Sequence, residues 1–529
     1  MRDIQLPGRS VVHAINGATA TSHPLSTMTA IDMLRQGGSA ADAAVAACAV
    51  QCVVEPMSTG IGGDCFVLYA PGGGGKVEGL NGSGRAPAGL TADHLLGQGV
   101  KQIGLESPHS VTIPGAVDAW ETLLAKHGKL GLERVLQPAI GYAEAGFAVT
   151  PRVAMDWQRN TEKLKLDASA AAKYLPGGKA PVAGDKHRLP QLAETLRTVA
   201  RQGRNGFYEG RVAEDIVKHL RAKGGTHTVE DFAEHRVEEV TPITSRYRGR
   251  DVQQIPPNGQ GITTLLMLNI LDGFDLSALD PLGAKRLHLE AEATRLAYAV
   301  RDRYVADPQH VPVPVAELLS DRFAADLRSR IDLDQAMASL DNVVGPIYRD
   351  TICLSVVDRD RNVCSFINSL YFPFGSGLCS PETGVMLQNR GAGFRVEPGH
   401  PNCVAPRKRP LHTIIPGMVT EGGRAVMSYG VMGGAYQPVG HTHVLSNIFD
   451  YGMDIQEAID CARAFHVAGK LELERGVSDR VKDELSAMGH VTSRPEMPWG
   501  GGQGILIDWQ KGTLAAGSDP RKDGCALGY

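Results

Sequence analysis

The 529-residue chain contains no apolar run long enough to cross a bilayer. Its first ten residues, Met1-Arg-Asp-Ile-Gln-Leu-Pro-Gly-Arg-Ser10, lack the apolar core of a signal peptide. Neither membrane association nor export by that route is expected, and the expected location is the cytoplasm. Basic residues are not in excess: 54 Lys and Arg against 58 Asp and Glu give a net charge of −4, which offers no electrostatic footprint for nucleic acid. The nine cysteines are odd in number and include no Cys-x-x-Cys pair, so neither a disulfide framework nor a zinc ribbon is indicated, and they read as reduced packing residues. No repeat or low-complexity tract marks a separate module. The glycine run Gly72-Gly-Gly-Gly-Gly75-Lys76 has no Ser or Thr after its lysine and the wrong spacing for a phosphate loop, so it reads as a hairpin turn. His441 and His443 alternate on a predicted helix and point apart, with no carboxylate at useful spacing. They read as surface or interface histidines, and no metal or organic cofactor is expected.

The chain has ample material for a core, at 43% hydrophobic and 21% charged residues, and length alone suggests two or three domains. Helical periodicity and end signals predict helices over 24–36, 40–54, 116–126, 133–144, 212–223, 262–271 and 284–304. Ser39 caps the second of these, with Asp42 at the capping-box position. That helix is nearly all small and apolar, which belongs in an interior. Gly60-Ile-Gly-Gly63 precedes a strand at 65–70 and is expected to bring a loop to a site mouth. Residues 237–247 read as one strand, 332–346 as a loop, and Trp499-Gly-Gly-Gly502 as a loop before a strand at 505–509.

The most informative stretch is Tyr348-Arg-Asp-Thr-Ile-Cys-Leu-Ser-Val-Val-Asp358. From Ile352 the residues alternate with the period of a half-buried strand, and after the polar turn 358–362 a second strand, 363–367, runs back beside it. Thr351 therefore stands at the open end of a hairpin. If the chain is cut before Thr351, its α-amine, with an ordinary pKa of about 7.7 to 8.0, lies beside its own hydroxyl and can take the hydroxyl proton. Taken alone, the hairpin is better explained by a β-branched residue at a strand start.

Downstream motifs decide between the two. Asp350-Thr-Ile-Cys-Leu-Ser-Val-Val-Asp358, Phe374-Gly-Ser-Gly377, Arg409-Pro-Leu411, Met432-Gly-Gly434, Ser518-Asp-Pro-Arg521 and Gly528-Tyr529 resemble the small subunit of γ-glutamyltransferases. Gly37-Gly38-Ser39-Ala40-Ala41-Asp42, Glu55-Pro56 and Gly60-Ile-Gly-Gly63 extend the resemblance through the first half. It implies an α+β fold of the N-terminal-nucleophile hydrolase type, a four-layer αββα sandwich with two stacked antiparallel sheets between helix layers. It also implies a precursor that cuts itself between Asp350 and Thr351, giving a large region, 1–350, and a small region, 351–529, that together form one compact unit. The implied roles are Thr351 as nucleophile, Ser369 as the hydroxyl bonded to it, and Gly433 and Gly434 as the pair whose N–H groups form the oxyanion hole. The ordinary alternative for the glycines is a tight turn between a strand at 425–429 and a helix beginning near Gln437.

Around these residues the chain departs from the γ-glutamyl pattern. Ser83 stands where those enzymes carry the arginine that grips the substrate carboxylate, and Arg85 is displaced by two. Gly393 replaces the acidic residue that holds the α-amine, Arg390 arrives three residues earlier, Tyr371 replaces an asparagine, and His412-Thr413 replaces a pair of serines. The pocket has gained a cation and lost an anion, which suits an amide bearing a carboxylate and no α-amine. The pattern is similar to the branch that includes oxamate amidohydrolase and, more loosely, the cephalosporin and glutaryl acylases. For Arg390 the other reading is a surface or interdomain salt bridge. Arg390, Tyr371, His412, Thr413 and Arg85 are the candidate substrate-binding residues of an autoprocessing amidohydrolase. Two alternatives stand beside it: a γ-glutamyl transferase or glutathione hydrolase, and a non-catalytic binding protein of the same fold. The expected partners are a small amide and the chain's own two subunits, with a homodimer of such heterodimers left open.

Overall fold

A computed structural model describes residues 8–74, 76–338 and 351–529. Two seven-stranded sheets, antiparallel throughout, form its centre. The first runs, edge to edge, Cys525–Gly528, Ala18–Thr21, Ile352–Val357, Val363–Ser369, Asp64–Ala70, Glu78–Gly82 and Glu238–Val240. The second runs Val12–Ala14, Thr513–Ser518, Gly501–Asp508, Arg424–Met432, Gly417–Glu421, Arg250–Gln254 and Ile243–Tyr247. Each sheet draws strands from both sides of Thr351, so the two halves of the chain are interleaved.

Period-2 alternation sends the two faces of every strand to different layers. Cys353, Val357, Val363 and Ile367 face the second sheet and pack with Met418, Met432, Ile505 and Ala516. Polar rungs cross the same gap: Ser428 Oγ lies 2.9 Å from Ser355 Oγ, and Ser365 Oγ donates to the Tyr429 carbonyl at 2.9 Å. Ile352, Leu354, Val356 and Phe366 face outward onto helices that include Ala40–Val54 and Ala116–His127. On the far side, Met427, Tyr429 and Val431 meet Gly261–Leu271, Ala284–Tyr304 and Gln437–Phe449. The result is the four-layer αββα arrangement of an N-terminal-nucleophile hydrolase.

All fifteen residues of Ala40–Val54 are buried, and its capping box is formed by Ser39 and Asp42. The strand pair Asp64–Ala70 and Glu78–Gly82 is antiparallel, with the glycine run at its connection.

Three expectations are corrected. Residues 237–247 form two strands in different sheets: Glu238–Val240 pairs with 79–81, whereas Ile243–Tyr247 pairs with Arg250–Gln254. Pro242 has no N–H to donate to a ladder, and the chain crosses between the sheets at that point. His441 and His443 are buried, on a helix enclosed by the second sheet and by Ala284–Tyr304. The strand read as 505–509 starts at Gly501, because Gly501–Met432 and Gly502–Val431 pairing extends the ladder. The mostly helical stretch from Pro151 to Tyr208, interrupted by the short strand Lys186–His187, has no counterpart in the sequence reading.

Candidate active site

Strand register brings two distant segments to one end of the sandwich. Ser355 meets Ser428, and a Cβ built on Gly430 would lie 3.1 Å from Cys353 Cβ. Moving from 355 to 353 to 351 therefore runs alongside 428, 430 and 432, which carries Thr351 to the end where Gly433 and Gly434 turn. Both glycines have positive φ, +121° and +58°, a region that other residues enter only with strain. A side chain on Gly433 would also stand 3.0 Å from the Gly500 Cα.

Thr351 is fully buried, and its Oγ1 lies 3.1 Å from Ser369 Oγ. Ser369 Oγ in turn accepts the Tyr371 N–H at 2.9 Å, which fixes one lone pair and orients the hydroxyl. The loop before Asp64 abuts this point: a Cβ on Gly63 would sit 2.3 Å from the Ser369 carbonyl oxygen, so only glycine fits.

From Ser369 the contacts continue without a break into a charged wall. Tyr371, itself at φ +81°, places its ring 4.0 Å beneath the Arg390 guanidinium. Arg390 is fully buried and donates Nη1–H to Thr413 Oγ1 at 2.6 Å. Its Nε and Nη2, the side edge of the guanidinium, have no hydrogen-bond partner among the described residues. Gln260 closes the circuit by donating to the Thr413 carbonyl at 2.8 Å and to the Gly434 carbonyl at 2.9 Å.

Asp64 lies directly opposite Ser369 in the strand pair and is fully buried. Its carboxylate accepts from Gln388 Nε2 at 2.8 Å, the Gly115 N–H at 3.1 Å and His412 Nε2 at 2.9 Å. Burial raises the Asp64 pKa, but the His412 hydrogen bond and the nearby Arg390 charge outweigh it and hold the group below its ordinary value. Burial and the Arg390 cation push His412 down to about 4 against the pull of Asp64. His412 is therefore neutral: Nε2–H donates to Asp64 and Nδ1 faces the Ile414 N–H at 3.4 Å. Asp64 is the fixed anion that balances Arg390.

A cavity of about 630 Å³ opens beside this wall, lined among others by Tyr371, Gly393, Thr413, Ala435, Lys101 and Arg395. Gly393 leaves it open, since a Cβ there would meet only ordinary contacts, 3.7 Å from the Tyr371 hydroxyl.

The structure thus joins Thr351, Ser369, Tyr371, Arg390, His412, Thr413 and Gly434 in one connected set, with Gly433 beside it. Arg390 is buried with no ion-pair partner among the described residues, which excludes the surface salt bridge. Arg85 stands outside the set, bonded to the Arg407 carbonyl and Gln309 at 3.0 Å and paired with Glu238 and Asp307. Asp350 lies outside the described residues. Sequence reasoning missed Asp64 and Gln260; a carboxylate directly after Gly60-Ile-Gly-Gly63 was the available signal for the first.

A family model described as gamma-glutamyltranspeptidase matches residues 26–529. The chain belongs to this family. Within the gamma-glutamyltranspeptidase family it is 37% identical over 518 residues to the "Glutathione hydrolase-like YwrD proenzyme" of Bacillus subtilis, covering 96% of this chain and 97% of that protein. It is 33% identical to the "Oxamate amidohydrolase proenzyme" of Klebsiella pneumoniae, covering 97% and 98%. The solved cephalosporin acylase from Bacillus halodurans superposes with a TM-score of 0.94 at 38% identity, over 100% of this chain and 99% of that one. This gamma-glutamyltranspeptidase-family chain is accordingly an enzyme of the hydrolase and acyltransferase type that acts on amide bonds. Among its described residues, no helix is long and apolar enough to cross a membrane.

Proposed function

We propose that the chain cuts itself between Asp350 and Thr351 and then hydrolyses a small amide that carries a carboxylate close to the scissile bond. The observation that carries the substrate reading is the Nε/Nη2 edge of buried Arg390, which has no hydrogen-bond partner among the described residues and is linked to Thr351 through Tyr371 and Ser369. A guanidinium edge of this kind accepts a carboxylate through two parallel hydrogen bonds, and leaving it unmade in a buried site is costly. Tyr371 and Thr413 hold the guanidinium so that little freedom is lost when the ligand arrives.

In maturation, Thr351 Oγ attacks the Asp350 carbonyl, the amide nitrogen departs as the new α-amine, and water cleaves the resulting ester. In turnover, that amine takes the Thr351 hydroxyl proton as Oγ attacks the substrate carbonyl. The N–H groups of Gly433 and Gly434 receive the oxyanion, the leaving amine takes the proton, and water releases the acid from the acyl-enzyme. Ser369 holds the Thr351 hydroxyl in line. Both products of cleavage, 1–350 and 351–529, stay together because each sheet is built from strands of both. Nine unpaired cysteines, six of them buried, suit a reducing cytoplasm.

The absence of an anion at Gly393 argues against a γ-glutamyl substrate, whose ammonium would find Arg390 in place of a counter-charge. The test is a substrate panel of oxamate, a glutaryl amide and glutathione, with Thr351→Ala as blank. Faster turnover of oxamate or the glutaryl amide than of glutathione is expected; the reverse order overturns the substrate reading. A chain that stays whole and inert, in place of fragments of about 37 and 19 kDa, overturns the enzymatic mechanism.

A further inference from the structure

Away from Thr351, two histidines and a glutamate converge in the interior where the two halves of the chain meet. His288 and Glu292 are four residues apart on the helix Ala284–Tyr304 and so share a face. His490 follows the helix Asp479–Ala487, which packs against it. All three are buried, and one ligand atom from each lies within 4.8 Å of the others.

We infer that His288, Glu292 and His490 form a binding site for one zinc-type dication that bridges the segments before and after Thr351. Three features support it. His288 Nε2–H donates to the Asp332 carbonyl at 2.7 Å, which fixes the tautomer and turns the Nδ1 lone pair toward His490 Nε2 at 2.8 Å. Backbone-carbonyl support of this kind is what orients metal-bound histidines. Glu292 is held from behind by the Met337 N–H at 2.8 Å and Arg295 Nη1 at 3.0 Å, so its carboxylate is also preset. Two imidazoles and one carboxylate are a ligand set that zinc favours, with a fourth position for water.

In the metal-free state His490 Nε2 carries the proton shared with His288. Binding moves that proton to Nδ1 of the same ring, so no net proton is released. Metal–nitrogen bonds of about 2.0 to 2.1 Å separate tetrahedral ligand atoms by roughly 3.3 Å, so the two rings part by about half an ångström. Among the described residues, the one cation in contact with the ligands, Arg295, is committed to Glu292 and to the Met337 and Ala338 carbonyls. The strap made by residues 332–338 is bound to the same helix and, through Ala336 N–H, to the Met488 carbonyl. A bound ion would therefore fasten the end of the first segment to the second.

The test uses the full-length, tag-free protein, stripped with chelator and titrated with Zn²⁺ calorimetrically and with Co²⁺ by visible absorption. One ion per chain, a tetrahedral Co²⁺ spectrum and a melting temperature raised by a few degrees are expected. His490→Gln and Glu292→Gln should each weaken binding by more than the roughly 10- to 100-fold that loss of an orienting partner costs. No stoichiometric binding overturns the inference, as does binding that survives in both variants. Should either variant fail to fold, the Co²⁺ spectrum of the unaltered protein decides, an octahedral or absent band being the negative result.

Discussion

The two sides of the site are built on opposite principles. On the Thr351 side the groups are small, neutral and held by strand register: Thr351, Ser369, Gly433 and Gly434 hang from ladders or from the turn that ends one. On the Arg390 side they are large and charged, and they come from loops, with Tyr371 in a left-handed backbone region and a guanidinium edge without a partner among the described residues. The first side can be rigid because the bond it attacks is common to all amides. The second must leave electrostatic demand unmet, since that demand is what selects a ligand.

If that contrast is sound, damage on the Thr351 side should remove chemistry whatever the substrate, and damage on the Arg390 side should alter which substrate is used. The largest effect is expected from Thr351→Ala: an uncut chain on a denaturing gel and a fall in turnover of at least about 10⁴-fold, as when other hydrolases lose their nucleophile. Gly433→Ala comes next. Its Cβ would press on Gly500 from a backbone conformation that alanine resists, so kcat should fall by roughly 10²- to 10³-fold for every amide in the panel, with KM little changed. An equal rise in KM would break the proposed division.

Arg390→Gln should cost about 10- to 100-fold in kcat/KM for carboxylate-bearing amides, the range for a lost hydrogen bond to a charged group. An uncharged amide should be nearly unaffected, so steady-state kinetics on the pair of substrates separates recognition from chemistry. The smallest effect concerns acid stability. His412 has a folded pKa of about 4 against an ordinary 6.5, so between those values the unfolded chain binds a proton that the folded chain does not. Stability contributed by neutral His412 is complete above about 6.5 and declines as pH falls toward 4. His412→Gln should flatten the slope of unfolding free energy against pH near pH 5 by about 1.4 kcal/mol per pH unit, read from denaturant titrations at closely spaced pH. An unchanged slope would mean that His412 is already charged, contrary to its hydrogen bonds.

The same division separates what could be read from the chain alone. The Thr351 hairpin was legible because strand alternation is a period-2 pattern in adjacent residues, and the core helix 40–54 because its caps and composition are local. The Pro242 crossing was not: 237–247 has strand-like residues throughout, and only pairing partners some 160 residues upstream and a few residues downstream assign its halves to different sheets. The burial of His441 and His443 escaped for a related reason. A helix with polar residues gives no sign that Glu290 and Arg286, far away in sequence, will meet His443 and make its burial tolerable.

By itself, the sequence determined the order of strands and turns that puts a hydroxyl at a strand start and two glycines at a strand end, because those are properties of neighbouring residues. Only the tertiary structure decided that Asp64 shares one buried charge balance with Arg390 and His412, more than three hundred residues further along the chain. Electrostatic interaction depends on distance and desolvation, and neither is defined until the sheets have stacked.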